Sequence, residues 1–108
     1  MRALRDHVEA SNAAVRAGDF EPMLADFADD AELVFVGAPV GPFHGREAIE
    51  QAYLVQPPDD EIVLLDEREE DGELVGGYAW KREPDVRAGE LRLTVEDDRT
   101  KRLVVSFD

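Results

Sequence analysis

Ala28-Asp29-Asp30-Ala31-Glu32-Leu33-Val34-Phe35-Val36, then a Gly/Pro loop, then Phe43-His44-Gly45-Arg46-Glu47-Ala48-Ile49, is the stretch around which the chain organises. The pair Asp29-Asp30 reads as the end of a helix whose apolar face is Met23, Leu24, Phe27 and Ala28. Leu33 to Val36 is β-branched and aromatic, the first expected strand. Gly37, Pro39, Gly41 and Pro42 make a loop that regular structure does not tolerate. Gly45 to Leu54 returns to helical spacing, with Ala48, Ile49, Ala52 and Tyr53 on one side.

Upstream, residues 3–17 form an amphipathic helix, with Leu4, Val8, Ser11 and Val15 at helical spacing and Arg5, Glu9 and Arg16 turned away. Gly18 stops it, because glycine accepts the left-handed conformation past a helix end. Asp19 is a good N-cap for the second helix and Pro22 falls in its first turn. Pro57-Pro58-Asp59-Asp60 breaks the chain into an exposed turn. The remainder reads as four strands: Ile62–Arg68, Leu74–Arg82, Gly89–Glu96 and Arg102–Phe107. Glu70-Asp71-Gly72, Pro84-Asp85 with Ala88-Gly89, and Asp97-Asp98 are the turn signals between them. Leu91, Leu93 and Val95 alternate with Arg92, Thr94 and Glu96, so one face is buried and the other wetter. Gly76-Gly77 inside a strand marks a bulge or a sharp bend. The expected order is α-α-β-α-β-β-β-β. Helices over one face of a bent antiparallel sheet make an α+β roll with room for a pocket on the concave side.

The 108 residues make one domain spanning 1–108. Cysteine is absent, which excludes disulfides, thiolate catalysis and cysteine-based metal sites. The net charge of -14, from 26 acidic and 12 basic residues, repels nucleic acid and anionic lipid surfaces. No run approaches the ~18 apolar residues of a spanning helix. Met1 leads into a polar helical pattern without an apolar leader segment, so the expected location is cytoplasmic. Phosphate loops, dinucleotide fingerprints and metal-binding spacings are missing, and no cofactor is expected.

Several residues stand out for chemistry. Tyr78 and Trp80 share strand parity and can floor a pocket for an aromatic or polycyclic ligand, with Tyr53 closing it from the third helix. Both strand aromatics serve equally well as ordinary core filling. Arg82 and Arg92 carry guanidinium forks that suit a carboxylate or phenolate, although arginines in so acidic a chain mostly neutralise neighbours. His7 has the pKa of a general acid or base, but a half-buried or surface histidine is the plainer reading. His44, before the third helix, reads as loop packing or capping. The Asp/Glu pairs 29–30, 59–60, 69–70 and 97–98 sit at element ends as solvated turns.

Taken together, Gly18-Asp19, Phe27-Ala28-Asp29-Asp30-Ala31, Phe43-His44-Gly45-Arg46-Glu47-Ala48-Ile49 and the four-strand finish resemble the nuclear transport factor 2-like superfamily. Its members include ketosteroid isomerases, SnoaL-like polyketide cyclases, scytalone dehydratase and limonene-epoxide hydrolase. The resemblance covers essentially the whole chain. It implies a cone-shaped α+β roll, in which three N-terminal helices pack on a strongly bent, mostly antiparallel sheet around a cavity. It also implies frequent homodimerisation through the sheet.

Ketosteroid isomerases use an aspartate just after the first strand, and that position falls on Phe35 or, with the loop as anchor, on Ala38. Their oxyanion tyrosine falls near Ser11, and their second oxyanion acid where this chain has Leu91, Leu93 and Val95. Isomerase chemistry needs a base and oxyanion donors, and this chain lacks both at those positions. Asp66 with Arg68 or Arg82 imitates a fragment of the hydrolase network, and His7 part of the dehydratase pair.

The resulting expectation is a SnoaL-like domain that binds a small apolar or aromatic molecule. Ser11, Phe35, Tyr53, Tyr78, Trp80 and Arg82 are the expected ligand-binding residues. The alternatives are an isomerase, cyclase or dehydratase using His7 or Asp66, and a non-catalytic association module.

Overall fold

The computed structural model describes residues 3–108. Helix α1 spans Leu4–Ala17 and buries Leu4, Val8 and Ser11 of the expected stripe, with Ala14 in place of Val15, and buries His7 fully where a half-buried or surface place was the plainer expectation. The Asp6 carboxylate accepts the Ala3 amide at 2.8 Å, and Gly18 closes the helix at φ 68°. Helix α2 is a single turn, Glu21–Leu24, with the Asp19 carboxylate accepting the Glu21 amide.

The helical reading of Phe27 and Ala28 is corrected: strand β1 begins there and runs Phe27–Val36. Pairing with a distant strand outweighs local helical spacing. The Asp26 carbonyl accepts the Thr100 amide at 2.8 Å, and Phe27 pairs in register with Thr100. The next registered pair is Glu32 with Arg102, so residues 28–31 bulge out of the ladder. Arg46 and Gly45 fill that bulge. The Arg46 guanidinium donates to the Phe27 carbonyl at 2.6 Å, and the Gly45 amide donates to the Ala31 carbonyl at 2.7 Å. A short strand β2, Phe43–His44, follows the loop and pairs with Leu33 and Glu32. Helix α3 then runs Arg46–Val55.

The expected strand Ile62–Arg68 is two strands, β3 (Ile62–Leu64) and β4 (Arg68–Glu70), both paired with β5 (Glu73–Trp80). Residues 65–67 step out between them because Gly76 admits the Asp66 carbonyl. A Cβ on Gly76 would lie 2.3 Å from that oxygen. The β5–β6 turn is at Lys81-Arg82, not at Pro84-Asp85. Strand β6 runs Glu83–Glu96, and Pro84 is tolerated near its start, where pairing with β5 is irregular. Strand β7, Arg99–Phe107, follows a turn in which Asp97 and Asp98 both have positive φ, 53° and 65°.

The sheet order is β2-β1-β7-β6-β5-β3, with β4 beside β5. Only β1–β7 is parallel among these pairs. The result is a cone-shaped α+β roll: a curved, open sheet with three helices on its concave side. Leu4, Met23, Phe27, Leu33, Ile49, Leu93 and Leu103 pack the core between them. The convex face is covered by ion pairs. Arg68 meets Glu70 and Glu90, Arg92 meets Glu70, Glu73 and Glu90, and Arg87 meets Glu90 and Asp108. Among the described residues no helix is long and apolar enough to cross a membrane.

Gly89 is the tightest point of the curve, since a Cβ there would lie 1.8 Å from the Ser106 carbonyl oxygen. That oxygen is backbone in the adjacent strand and cannot rotate away. Gly89→Ala is therefore expected to cost about 3 kcal/mol or more, the upper range for overpacking. Urea denaturation checks this; a midpoint within error of wild type would show that the two strands part easily.

Candidate functional site

The core fills one end of the concave face, and the other end stays open. A cleft of about 1050 Å3 lies between the sheet, α1 and α3. Its floor follows from the sheet register. Phe35, Val105 and Leu91 lie side by side on β1, β7 and β6, followed by Gly76 on β5. The next row holds Phe107, Gly89, Tyr78 and Leu64, and Trp80 pairs with Ile62 beyond it. The two glycines in these rows admit close neighbours: the Asp66 carbonyl, Leu4 and Leu64 at Gly76, and the Ser106 carbonyl at Gly89.

His7 and Ser11 of α1 form one wall, and Ala48, Ala52 and Tyr53 of α3 the other. The mouth is apolar: Val40, Val55, Pro57, Pro58 and Phe107 surround it, and Val55 is 82% exposed. Aromatic rings gather on both sides. Phe35 stacks on Phe107 and meets Phe43 edge-on, each at 6.3 Å between centroids. Opposite them Tyr78 and Trp80 pack edge-to-face at 5.6 Å.

His7, Ser11, Phe35, Tyr53, Tyr78 and Trp80 thus line one cleft, although up to 73 positions separate them in the chain (80 minus 7). Phe35 and Ala38 both line it as well, so either counterpart of the isomerases' aspartate places a side chain without an acid in the wall. Asp66 is elsewhere. Its carboxylate accepts the Gly77 amide, lies 3.4 Å from Arg68, and is 59% exposed. The Cβ direction of Gly77 points at the Asp66 carboxylate and Arg87, whereas that of Gly76 points at the Asp66 backbone carbonyl, Leu4 and Leu64, so it is the carboxylate of Asp66 that lies on the Gly77 face. Adjacent strand residues face opposite ways, so Asp66 belongs to the convex side. Asp66 is not among the residues that line the cleft.

Arg82 stands at the edge, not inside. Its guanidinium lies 5.9 Å from the Trp80 ring and 3.3 Å from Asp59. Arg92 sits among carboxylates of the convex face. His44 is mostly exposed, with Nδ1 3.2 Å from Glu32. Pro57-Pro58-Asp59, expected as a plain turn, is part of the mouth, as are Val40 and Phe107. Leu54-Val55 at the end of α3 was the available signal, an apolar pair that the helix does not bury.

The cleft interior is poor in charge. Asp59 is the one carboxylate among its described lining residues, and it is 81% exposed and paired with Arg82. Burial pushes the Tyr53 phenol up to about 12. Burial, and then the charge of Asp108, raises Tyr78 as well. Both phenols are therefore neutral donors near pH 7. Tyr78 is 1% exposed, and its Oη has no hydrogen-bond partner among the described residues. A buried hydroxyl left so costs about 1–3 kcal/mol.

No family model matches the sequence, and no curated protein does. Solved structures match throughout. The structure of a Mycobacterium tuberculosis protein in complex with estradiol-17beta-hemisuccinate has a TM-score of 0.73 at 18% identity, covering 94% of this chain and 91% of that one. A computationally designed 17-OHP binder gives 0.71 at 18%, covering 94% and 88%. A nuclear transport factor 2-like protein of unknown function from Burkholderia xenovorans gives 0.70 at 16%, covering 96% and 81%. The chain has the nuclear transport factor 2-like fold. In this nuclear transport factor 2-like roll the cleft occupies the space between curved sheet and helices that the resemblance implied.

The chain's two tyrosines make the burial measurable. Both phenols are raised above the ordinary 10.0, so the folded state holds their protons longer than the unfolded state. That contribution to stability is complete below pH 10 and is lost as the pH climbs from 10 toward 12. Absorbance at the tyrosinate band is expected to stay flat through pH 10 in the native protein and to rise there in urea. A native titration at the ordinary value would show that both rings are solvated.

Proposed function

We propose that this protein binds a small, apolar, ring-containing molecule in the cleft. The observation that carries the reading is the composition of the walls: aromatic and aliphatic side chains throughout, with a few neutral polar groups and no carboxylate deeper than the rim. A site of this kind draws a ligand by apolar burial and orients it with a small number of hydrogen bonds. The volume of about 1050 Å3 lies at the upper end of small-molecule sites and suits a polycyclic body. The neighbours that bind estradiol-17beta-hemisuccinate or 17-OHP support the same ligand class.

Catalysis by an interior carboxylate is not part of this proposal. Moving a proton beside a carbonyl requires a base within hydrogen-bond reach of the substrate. Asp66 does not line the cleft and Asp59 is 81% exposed at its lip, which supports a reading without an interior acid. Self-association through the sheet would set one ion-pair ladder against another. We propose that any such homodimer, formed between two chains of net charge -14, strengthens with added salt as their repulsion is screened, which sedimentation at low and high ionic strength tests.

Trp80 is the chain's single tryptophan, so its emission reports the cleft directly. Estradiol is expected to quench or shift that emission saturably. In Trp80→Ala, calorimetry is expected to find at least a tenfold weaker affinity, about 1.4 kcal/mol, with the fold retained. Unchanged affinity together with lowered stability would make Trp80 a core residue and remove the reading.

A further inference from the structure

We propose that the Tyr78 hydroxyl is the hydrogen-bonding anchor for one oxygen of the molecule that fills the cleft. The ligand class is then a flat apolar ring system with a carbonyl or hydroxyl at its leading end. This rests on the reading of the cleft as a ligand site and adds what the ligand must carry.

Tyr78 stands in the middle of β5, between Gly89 of β6 and Leu64 of β3. Trp80 meets its ring edge-to-face. Neither neighbouring side-chain position supplies a donor or acceptor, and Gly89 supplies no side chain at all. Oη is left without a partner among the described residues, in a residue that is 1% exposed and lines the cleft. Proteins pair nearly all such groups, so an unpaired one beside a cleft of this size points to an outside partner. Thr100 Oγ1 shares the condition but does not line the cleft.

The phenol keeps its proton at neutral pH, so it offers a donor as well as an acceptor. A neutral donor among mostly apolar walls suits a neutral oxygen, because burying a ligand carboxylate there would cost the desolvation of a charge. Oη has less than 1 Å2 of accessible surface. A ligand oxygen therefore reaches it by shifting the surrounding side chains, and meets it at the floor rather than at the mouth.

Tyr78→Phe removes the oxygen and keeps the ring. One arm of the test needs no ligand. The urea midpoint of Tyr78→Phe is expected to equal or exceed that of wild type. A lower midpoint would reveal a protein partner for Oη and overturn the proposal. The other arm compares 2-naphthol with naphthalene by equilibrium dialysis. Tyr78→Phe is expected to weaken 2-naphthol about three- to tenfold and to leave naphthalene unchanged. Equal effects on both probes overturn the anchor while leaving the cleft a binding site. Uptake of neither probe by the wild-type protein overturns the anchor and the binding reading together.

Discussion

Asn12 forms a reciprocal pair of hydrogen bonds with Ile62: Nδ2 donates to the Ile62 carbonyl at 2.9 Å, and the Ile62 amide donates to Oδ1 at 2.7 Å. The amide side chain thus acts as one more strand residue on the open edge of the sheet. Two consequences follow. At Ile62 the edge loses the free amide and carbonyl that would invite another strand. Helix α1 is also held at a set distance from β3 and cannot slide down onto the floor. The Leu4 amide to Glu67 at 2.9 Å and Arg16 to Glu61 at 2.6 Å fix the same helix at its two ends. His7 and Ser11 reach the cleft wall because α1 is suspended in this way.

On the opposite side α3 is held by a different device. Arg46 grips the Phe27 carbonyl within the β1 bulge, and Gly45 takes the Ala31 carbonyl. Both supports are polar and lie at the margins of the sheet, so the space between the helices need not be filled to keep them in place. Gly76 and Gly89 supply the remaining condition: at these positions backbone and side chains from neighbouring segments approach to distances that no Cβ would allow. The helices that wall the cleft are therefore held by hydrogen bonds at its rim.

Much of this was legible in the chain. Leu91, Leu93 and Val95 announced their strand by alternation, α1 by its apolar stripe, and Gly18 by its place after that stripe. Tyr78 and Trp80 could be put on one face by parity alone. Phe27 was misread because its spacing after Met23 and Leu24 is helical; what makes it a strand is pairing with Thr100, 73 positions away (100 minus 27). The strand expected over Ile62–Arg68 is broken because the step between β3 and β4 depends on a carbonyl fitting over Gly76, a contact between strands that no local pattern encodes. The apolar mouth escaped notice since Val40, Val55 and Phe107 come from three separate elements, and only the closed roll brings them to one rim.

The distribution of charge gives the architecture its chemical meaning. A net charge of -14 is carried on the convex face, the turns and the lip, where water solvates it. The walls of the cleft keep neutral polar groups, chiefly the two phenols, whose burial raises their pKa and costs far less than burying a carboxylate. Such a site discriminates poorly between hydrocarbons that differ by a methylene. It discriminates better between molecules that do and do not answer a buried hydrogen-bonding group. The ionised groups thus lie where water solvates them, and the curved sheet and the helices leave a cleft whose walls are mostly apolar.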